Sequence, residues 1–123
     1  MDHKPASDFL DSLDSNSNRA LGRMKSKLPW LADSLVNSLY GEVYQRDKLT
    51  LRERFFVTIA ALITSGSMQP QLAYQTELAL KNGVTRDELL EVACQISPFF
   101  GYATAINAMA IIDSIAEAKP PKR

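Results

Sequence analysis

Cysteine and histidine are almost absent from this chain of 123 residues, and their scarcity excludes several kinds of site. Cys94 is the single cysteine and has no partner for an internal disulfide, which suits a reducing compartment. His3 is the single histidine and lies far from Cys94, in a polar stretch. Because a metal site needs several converging ligands, we predict no metal centre, and we expect no cofactor of another kind.

Net charge and long apolar runs are also lacking. The charges of fourteen basic and fourteen acidic side chains cancel, so the chain lacks the excess positive charge that attracts nucleic acid or an acidic membrane. No apolar run approaches the roughly 20 residues that span a bilayer. The start, MDHKPASDFLDSLDS, is acidic and polar, unlike a secretory signal. We therefore expect a cytoplasmic protein without nucleic-acid or membrane partners.

The residues that are present point to a helical core. A hydrophobic share of 46% is enough for one ordinary domain, and apolar residues recur at helical spacing without alternating runs. Residues 50–53 and 85–88 read as capping boxes that open helices, while Gly66 and Gly83 follow the ends of two helices. The sequence predicts an all-α fold, a single compact domain of about six helices.

The predicted organisation has three parts. Residues 1–18 form a flexible or partly helical segment, 19–118 the helical domain and 119–123 a C-terminal tail. The segment contains a short possible helix over 7–14. The predicted helices of the domain cover about 19–27, 29–40, 50–65, 70–81, 85–97 and 103–118. Gly41 is expected to end the second of these, and Pro98 to follow the end of the fifth.

Several stretches resemble the carboxymuconolactone decarboxylase family, which includes the alkyl hydroperoxidase D-like proteins. They are LTLRERFFVTIAALITSG, ELALKNGVTRDELLEVACQ and FFGYATAINAM, together with YGEVYQRDKLTL, the segment that leads into the first of them. The resemblance implies an alkyl hydroperoxidase D-like helical fold and assembly into homo-trimers or homo-hexamers. It also implies sites in clefts between helices, near subunit contacts, and two possible chemistries.

The redox chemistry of the family requires a Cys-x-x-Cys pair before the asparagine-glycine corner, because a second thiol must resolve the oxidised first one. The corresponding stretch here, SGSMQPQLAYQTELAL, has no cysteine. The family glutamate is also absent, since Phe55 and Phe56 follow Arg54. Dithiol chemistry is therefore excluded. Two readings of Cys94 stay open: a lone redox thiol that uses an external reductant, or an inert side chain without the cationic neighbour that activation needs.

For the decarboxylase chemistry, the resemblance implies one histidine eight residues before Gly83 and another six residues before Gly101, and these positions hold Gln75 and Gln95. Glutamine keeps the hydrogen-bonding capacity of the site but cannot shuttle a proton near neutral pH. Gln75 and Gln95 are thus candidates for orienting a carbonyl or holding an enolate. The general acid or base must then be another group.

Glu91 is the candidate for that proton transfer. Glu88, Glu91 and Gln95 are spaced i, i+3 and i+7, which places them on one stripe of a helix. Gln75 lies on a similar stripe of the preceding helix, and the two stripes would line one cleft if these helices form an antiparallel corner. The alternative is that Glu88 only caps its helix, while Glu91 and Gln95 face water.

Four further residues are candidates for substrate binding. The guanidinium fork of Arg52 or Arg54 suits a carboxylate, and the phenols of Tyr74 and Tyr102 can donate hydrogen bonds. The alternatives are that the two arginines make exposed ion pairs and that the two tyrosine rings pack against apolar helices while their hydroxyl groups contact water.

Three hypotheses of function follow. The first, on the strength of the resemblance, is a decarboxylase-like lyase that acts on a small organic acid or lactone in an inter-helix or inter-subunit cleft. The second is a non-catalytic oligomeric relative that binds a small anionic or aromatic ligand, or that simply assembles. The substrate or ligand is expected to carry a carboxylate. The third is an antioxidant protein of peroxidase type that uses Cys94 alone.

Overall fold

The fold was obtained as a computed structural model that describes residues 3–66 and 69–118. These residues contain seven α-helices, one π-helical segment and no strand, so the all-α prediction is confirmed, with seven α-helices instead of about six. The helices are α1 (Ala6–Leu13), α2 (Ser17–Lys27), α3 (Pro29–Leu35), α4 (Leu51–Thr64), α5 (Gln69–Lys81), α6 (Arg86–Phe100) and α7 (Tyr102–Ala118). The π-helical segment spans Val36–Val43. The predicted tail, 119–123, lies outside the described residues.

The contacts of the chain divide it into two units, one ending at Leu51 and the other beginning at Arg52. In the first, the N-terminal unit, α1 packs against the π-helical segment, and α3 packs against α2. Its core holds mainly leucine and tyrosine side chains. Those that are buried are Leu10, Leu13, Leu21, Ala32, Tyr40 and Tyr44.

The π-helical segment corrects one prediction. Gly41 does not end a helix, because the segment continues through it to Val43. A Cβ atom at Gly41 would lie 3.0 Å from the Cβ atom of Ala6. The missing side chain therefore lets α1 approach this segment closely.

A glutamine fixes the chain just before α1. The side-chain Oε1 of Gln45 accepts a hydrogen bond from the backbone N–H of Lys4 at 2.7 Å, and its Nε2 donates to the carbonyl oxygen of Lys4 at 2.9 Å. Nε2 also donates to the carbonyl oxygen of Tyr40 at 3.0 Å. One amide thus joins the residues before α1 to the π-helical segment.

In the second unit, the C-terminal unit, α7 packs against both α5 and α6. Helix α4 buries Phe55, Ile59 and Ile63, which are spaced i, i+4 and i+8 on one face. Val57 of the same helix is 59% exposed, although the apolar pattern of α4 predicts burial on most sides. No helix of the described residues, in either unit, is long and apolar enough to cross a membrane.

The corner between α5 and α6 follows the sequence prediction. Gly83 has a φ of 95°, a conformation that glycine adopts without the steric cost of a side chain. The Thr85 hydroxyl accepts the backbone N–H of Glu88, and Glu88 Oε1 accepts the backbone N–H of Thr85. The capping box at the start of α6 is therefore confirmed.

The other end of α6 differs from the prediction. The helix passes through Pro98 and ends at Phe100, before Gly101. Proline has no N–H to donate to the carbonyl oxygen four residues earlier, that of Cys94. The Ser97 hydroxyl donates to this oxygen at 2.8 Å and satisfies it. The helix can therefore continue for two residues beyond the proline.

Candidate functional site

The candidate site is a groove between α4 and α6, called here the α4–α6 groove, with a volume of about 410 Å³. Helix α4 contributes one wall, which is apolar throughout and consists of Phe56, Val57 and Ala60. Helix α6 contributes the other wall, which is mixed. Its residues are Glu88, Glu91, Val92, Gln95 and Ile96. All polar side chains of the groove therefore come from α6.

Helix geometry explains this division. Phe55, Ile59 and Ile63 occupy the buried face of α4, which leaves its remaining apolar side chains to form a second surface. On α6, the groove runs along the stripe of Glu88, Glu91 and Gln95. The prediction that these three side chains share one face of the helix is thus in agreement with the structure.

Glu88 occupies one end of the groove and both of its carboxylate oxygens have partners. Oε1 accepts the backbone N–H of Thr85 at 2.9 Å, and Oε2 forms an ion pair with the guanidinium of Arg52. The Arg52 guanidinium carbon lies 5.4 Å from the ring centroid of Phe56, within the range of a cation–π contact. Glu88 therefore does more than cap its helix, and its charge is compensated.

Glu91 supplies the uncompensated charge of the groove. Its side chain is exposed and makes no ion pair or hydrogen bond with any other residue that the structure describes. Gln95 lies one helical turn further along and is also exposed. A carboxylate that can exchange a proton and an amide that can donate or accept a hydrogen bond thus face one apolar wall.

The other predicted site residues lie elsewhere. Gln75 is only 8% exposed within α5 and does not line the groove, so the structure does not bring Gln75 and Gln95 into one groove. Arg54 and Tyr74 are half-buried, and neither lines the groove. Tyr102 is 75% exposed at the first residue of α7.

Cys94 is exposed on α6 but is not part of the groove lining. The nearest arginine along α6, Arg86, forms an ion pair with Asp113. No group of three histidine, cysteine, aspartate or glutamate side chains arranged to hold a metal ion occurs in residues 3–66 and 69–118. The described lining of the groove therefore contains neither a thiol nor a set of metal ligands.

The apolar wall was missed by reasoning from the sequence. A helix that is apolar on most sides shows no contrast between faces, so periodicity does not indicate which residues face a ligand. The count of apolar side chains did contain a signal. One stripe of α4 packs into the core. Phe56, Val57 and Ala60 are additional apolar residues that lie outside that stripe.

The chain is similar to a protein family and to individual known proteins. Residues 29–114 match the model of the carboxymuconolactone decarboxylase family. An uncharacterized 15.0 kDa protein in the nqo9-nqo10 intergenic region of Paracoccus denitrificans is 28% identical over 93 residues, which cover 75% of this chain and 69% of the relative. A 4-carboxymuconolactone decarboxylase of Acinetobacter baylyi is 29% identical over 98 residues, or 80% of this chain and 72% of that protein. The match to the family model includes every residue that lines the groove.

Proposed function

We infer that this chain, which belongs to the carboxymuconolactone decarboxylase family, is a lyase-type enzyme that acts on a small organic acid or lactone in the α4–α6 groove. The observation that carries the proposal is the convergence of Glu91 and Gln95 on one largely apolar groove of about 410 Å³. Small-molecule sites typically measure about 300–1,000 Å³ and combine apolar walls with a few polar groups. The cytoplasmic location expected from the sequence is part of this proposal.

The chemistry assigns a separate task to each polar side chain. In a decarboxylation of this kind, the bond to the leaving carboxylate breaks, and its electron pair passes into a conjugated lactone carbonyl. The Gln95 amide donates a hydrogen bond to the oxygen on which this charge develops. Glu91 delivers a proton from solvent to the resulting carbanion and so completes the exchange of carbon dioxide for hydrogen.

The ring of the ligand packs against Phe56 and Val57 in this proposal. Arg52 contacts two residues of the groove lining, Phe56 and Glu88, so the remaining carboxylate of a substrate would share its guanidinium with Glu88. Sharing is geometrically reasonable because a guanidinium has five donor N–H groups. No cofactor enters this scheme.

The direct test is turnover of γ-carboxymuconolactone by the purified chain, measured as loss of the lactone and release of carbon dioxide. We expect Glu91→Gln to lower kcat by about 100-fold or more, the usual contribution of a positioned acid or base. Glu117→Gln is the matched control, since Glu117 is exposed on α7 and lies outside the groove. Full activity of Glu91→Gln would refute the role of Glu91.

One observation favours a second function, a non-catalytic relative that binds a small ligand. Both positions at which the family resemblance implies histidine hold glutamine, and Gln75 is buried, away from the groove lining. The variant Gln75→His/Gln95→His distinguishes the two functions. Turnover in the natural chain supports the lyase, whereas turnover that appears only in the double variant supports a binding role.

We also propose that the chain forms a homo-oligomer, a trimer or hexamer as the resemblance implies. Support comes from exposed large apolar side chains on α7, where Tyr102, Ile106 and Met109 follow one stripe. Ile106→Glu should lower the molar mass measured by light scattering, whereas Ala118→Glu, the same charge at the end of the helix, should not. A natural chain that is monomeric at micromolar concentration would refute this proposal.

A further inference from the structure

Helix α2 of the N-terminal unit carries a basic surface that has no part in the function proposed above. Between Asp14 and Asp33 the chain has four basic residues and no acidic one. Three of the four, Arg19, Arg23 and Lys27, are spaced i, i+4 and i+8 on α2 and form what is called here the basic stripe. All three are exposed, and their side chains make no ion pair or hydrogen bond with any other residue that the structure describes.

The other side of α2 belongs to the core of the N-terminal unit. Leu21 is only 7% exposed and lies two residues from both Arg19 and Arg23, or about 200° around the helix. Lys25 lies two residues from both Arg23 and Lys27, so it is not part of the basic stripe. The basic stripe is therefore the outer face of α2, and its charges are directed to solvent.

The basic stripe ends beside a corner of exposed apolar side chains. Lys27 is the last residue of α2, and α3 begins at Pro29. Leu28 between them is not helical, with a φ of −151°, because a following proline disfavours the helical conformation. Leu28 is 51% exposed, Trp30 72% and Leu31 42%, and these three residues are called here the Trp30 corner. A cluster of large apolar side chains in water, next to a set of charges, indicates an interaction surface.

We propose that the basic stripe and the Trp30 corner bind the surface of an anionic lipid bilayer. The charges select the partner, because three cations spread over about 12 Å match a surface with many anionic headgroups better than one small anion. The Trp30 ring suits the boundary between headgroups and acyl chains, where its apolar body is buried and its N–H keeps a hydrogen bond. Leu28 and Leu31 enter the acyl region beside it.

The composition of this surface favours a bilayer over an acidic protein. Tryptophan and leucine next to lysine and arginine are typical of segments that lie at a membrane surface. Leucine, by contrast, is under-represented among the residues that contribute most to protein–protein binding. Because the apolar side of α2 is already packed in the core, the helix itself does not insert. Only the Trp30 corner enters the bilayer, and the binding is peripheral.

The net charge of the chain does not reveal this surface. The expectation of no membrane partner rests on a sum over all residues, which is zero, and on the absence of a long apolar run. Peripheral binding depends on neither. It needs local basic charge within about one Debye length of the lipid, roughly 10 Å in 0.1 M salt, and a few apolar side chains. The proposal replaces that expectation for this face of the chain.

Trp30 is the single tryptophan of the chain and reports its own contact with lipid. We expect the emission of a water-exposed indole for the chain in buffer. Vesicles of phosphatidylcholine and phosphatidylglycerol should shift this emission to shorter wavelength, with saturation. Vesicles of phosphatidylcholine alone should not shift it. Salt at 1 M should reverse the shift, because the Debye length falls to about 3 Å.

Two variants with matched controls separate the charges from the apolar corner. Arg23→Gln should weaken binding to the mixed vesicles about fivefold, the usual contribution of one basic residue, whereas Lys48→Gln, at an exposed position of the same unit, should not. Trp30→Ser should weaken binding about tenfold or more in a vesicle sedimentation assay. Its control is Val43→Ser, which removes an apolar side chain that is 43% exposed on the π-helical segment and should leave binding unchanged.

Several results would overturn the proposal. These are the absence of a shift with the mixed vesicles, equal binding to neutral vesicles, and an equal effect of Arg23→Gln and Lys48→Gln. Emission that is already at short wavelength without lipid, and moves to longer wavelength on dilution, would assign the Trp30 corner to a contact with a second copy. Tighter binding of a single-stranded oligonucleotide than of the mixed vesicles would assign the basic stripe to nucleic acid. Turnover of a lactone in the α4–α6 groove is a separate readout and does not affect this result.

Discussion

The cluster of Arg52, Glu88 and Thr85 allows a quantitative prediction for the free energy of unfolding. Glu88→Ala removes the side-chain half of the capping box and the ion pair with Arg52, whereas Glu88→Gln keeps an oxygen that can accept the Thr85 N–H. The two substitutions therefore separate the cap from the charge. We expect Glu88→Ala to be clearly the more destabilising.

The magnitudes follow from exposure and geometry. The side chains of Arg52 and Glu88 are 46% and 34% exposed, so their ion pair should contribute only about 0.5 kcal/mol. Loss of a helix cap costs about 1 kcal/mol. We therefore expect a loss of about 1.5 kcal/mol for Glu88→Ala and about 0.5 kcal/mol for Glu88→Gln. Arg52→Met should cost about 1 kcal/mol, because it also removes the cation–π contact with Phe56.

Urea unfolding followed by circular dichroism measures these values. A double-mutant cycle of Arg52→Met and Glu88→Gln gives the coupling energy of the pair, which should fall in 1 M salt, where the Debye length is about 3 Å. Arg86 and Asp113 form the matched control, because their side chains are similarly exposed at 49% and 34%. Arg86→Met should cost less than Arg52→Met, since no ring contact of Arg86 is present among the described residues.

Two outcomes would refute this reasoning. If Glu88→Ala and Glu88→Gln destabilise the chain equally, the hydrogen bond to Thr85 contributes nothing measurable. If the coupling energy of Arg52 and Glu88 exceeds about 2 kcal/mol, the pair behaves as a buried one, contrary to its exposure.

Three further predictions concern single positions. Gly83→Ala should cost about 1–2 kcal/mol in urea unfolding, because a side chain is strained at a φ of 95°, and an unchanged midpoint would contradict this. Gly41→Val should cost about 1–3 kcal/mol through overpacking against Ala6, and Ala6→Gly should recover part of that loss. Cys94→Ala should leave any peroxide-reducing activity unchanged, and loss of such activity would support the antioxidant hypothesis instead.

The corner between α5 and α6 was predictable because its signals are local. Gly83 supplies the conformation that ends one helix, and Thr85 with Glu88 supplies the hydrogen bonds that begin the next. The end of α6 was not predictable from Pro98 alone. The effect of a proline depends on whether another donor reaches the free carbonyl oxygen, and here Ser97 supplies one.

About half of the candidate site could be predicted. Glu91 and Gln95 face one groove because they are four residues apart on one helix, and this spacing can be read directly from the sequence. The wall that faces them is a tertiary property, since it depends on which helix packs beside α6. The expectation for Gln75 required α5 to supply that wall, whereas the groove takes it from α4.

The N-terminal unit shows the same limit. A glycine after an apolar helical pattern favours a helix end, and nothing next to Gly41 in the sequence indicates otherwise. The reason for a glycine at this position lies 35 positions earlier, at Ala6, which occupies the space that a Cβ atom would need. The continuation of the helix through Gly41 as a π-helical segment is therefore visible only in the folded chain.

The double engagement of Glu88 makes one backbone amide a reporter for the whole groove. The N–H of Thr85 donates a hydrogen bond to Glu88 Oε1, and this bond should slow its exchange with solvent. A substrate carboxylate that shares Arg52 with Glu88 weakens the ion pair that positions the Glu88 side chain and so loosens this hydrogen bond. Deuterium uptake at Thr85 would then rise on occupation of the groove, while uptake in the middle of α6 would stay the same. Ligands of unknown identity can therefore be screened by following a single amide, without any assay of turnover.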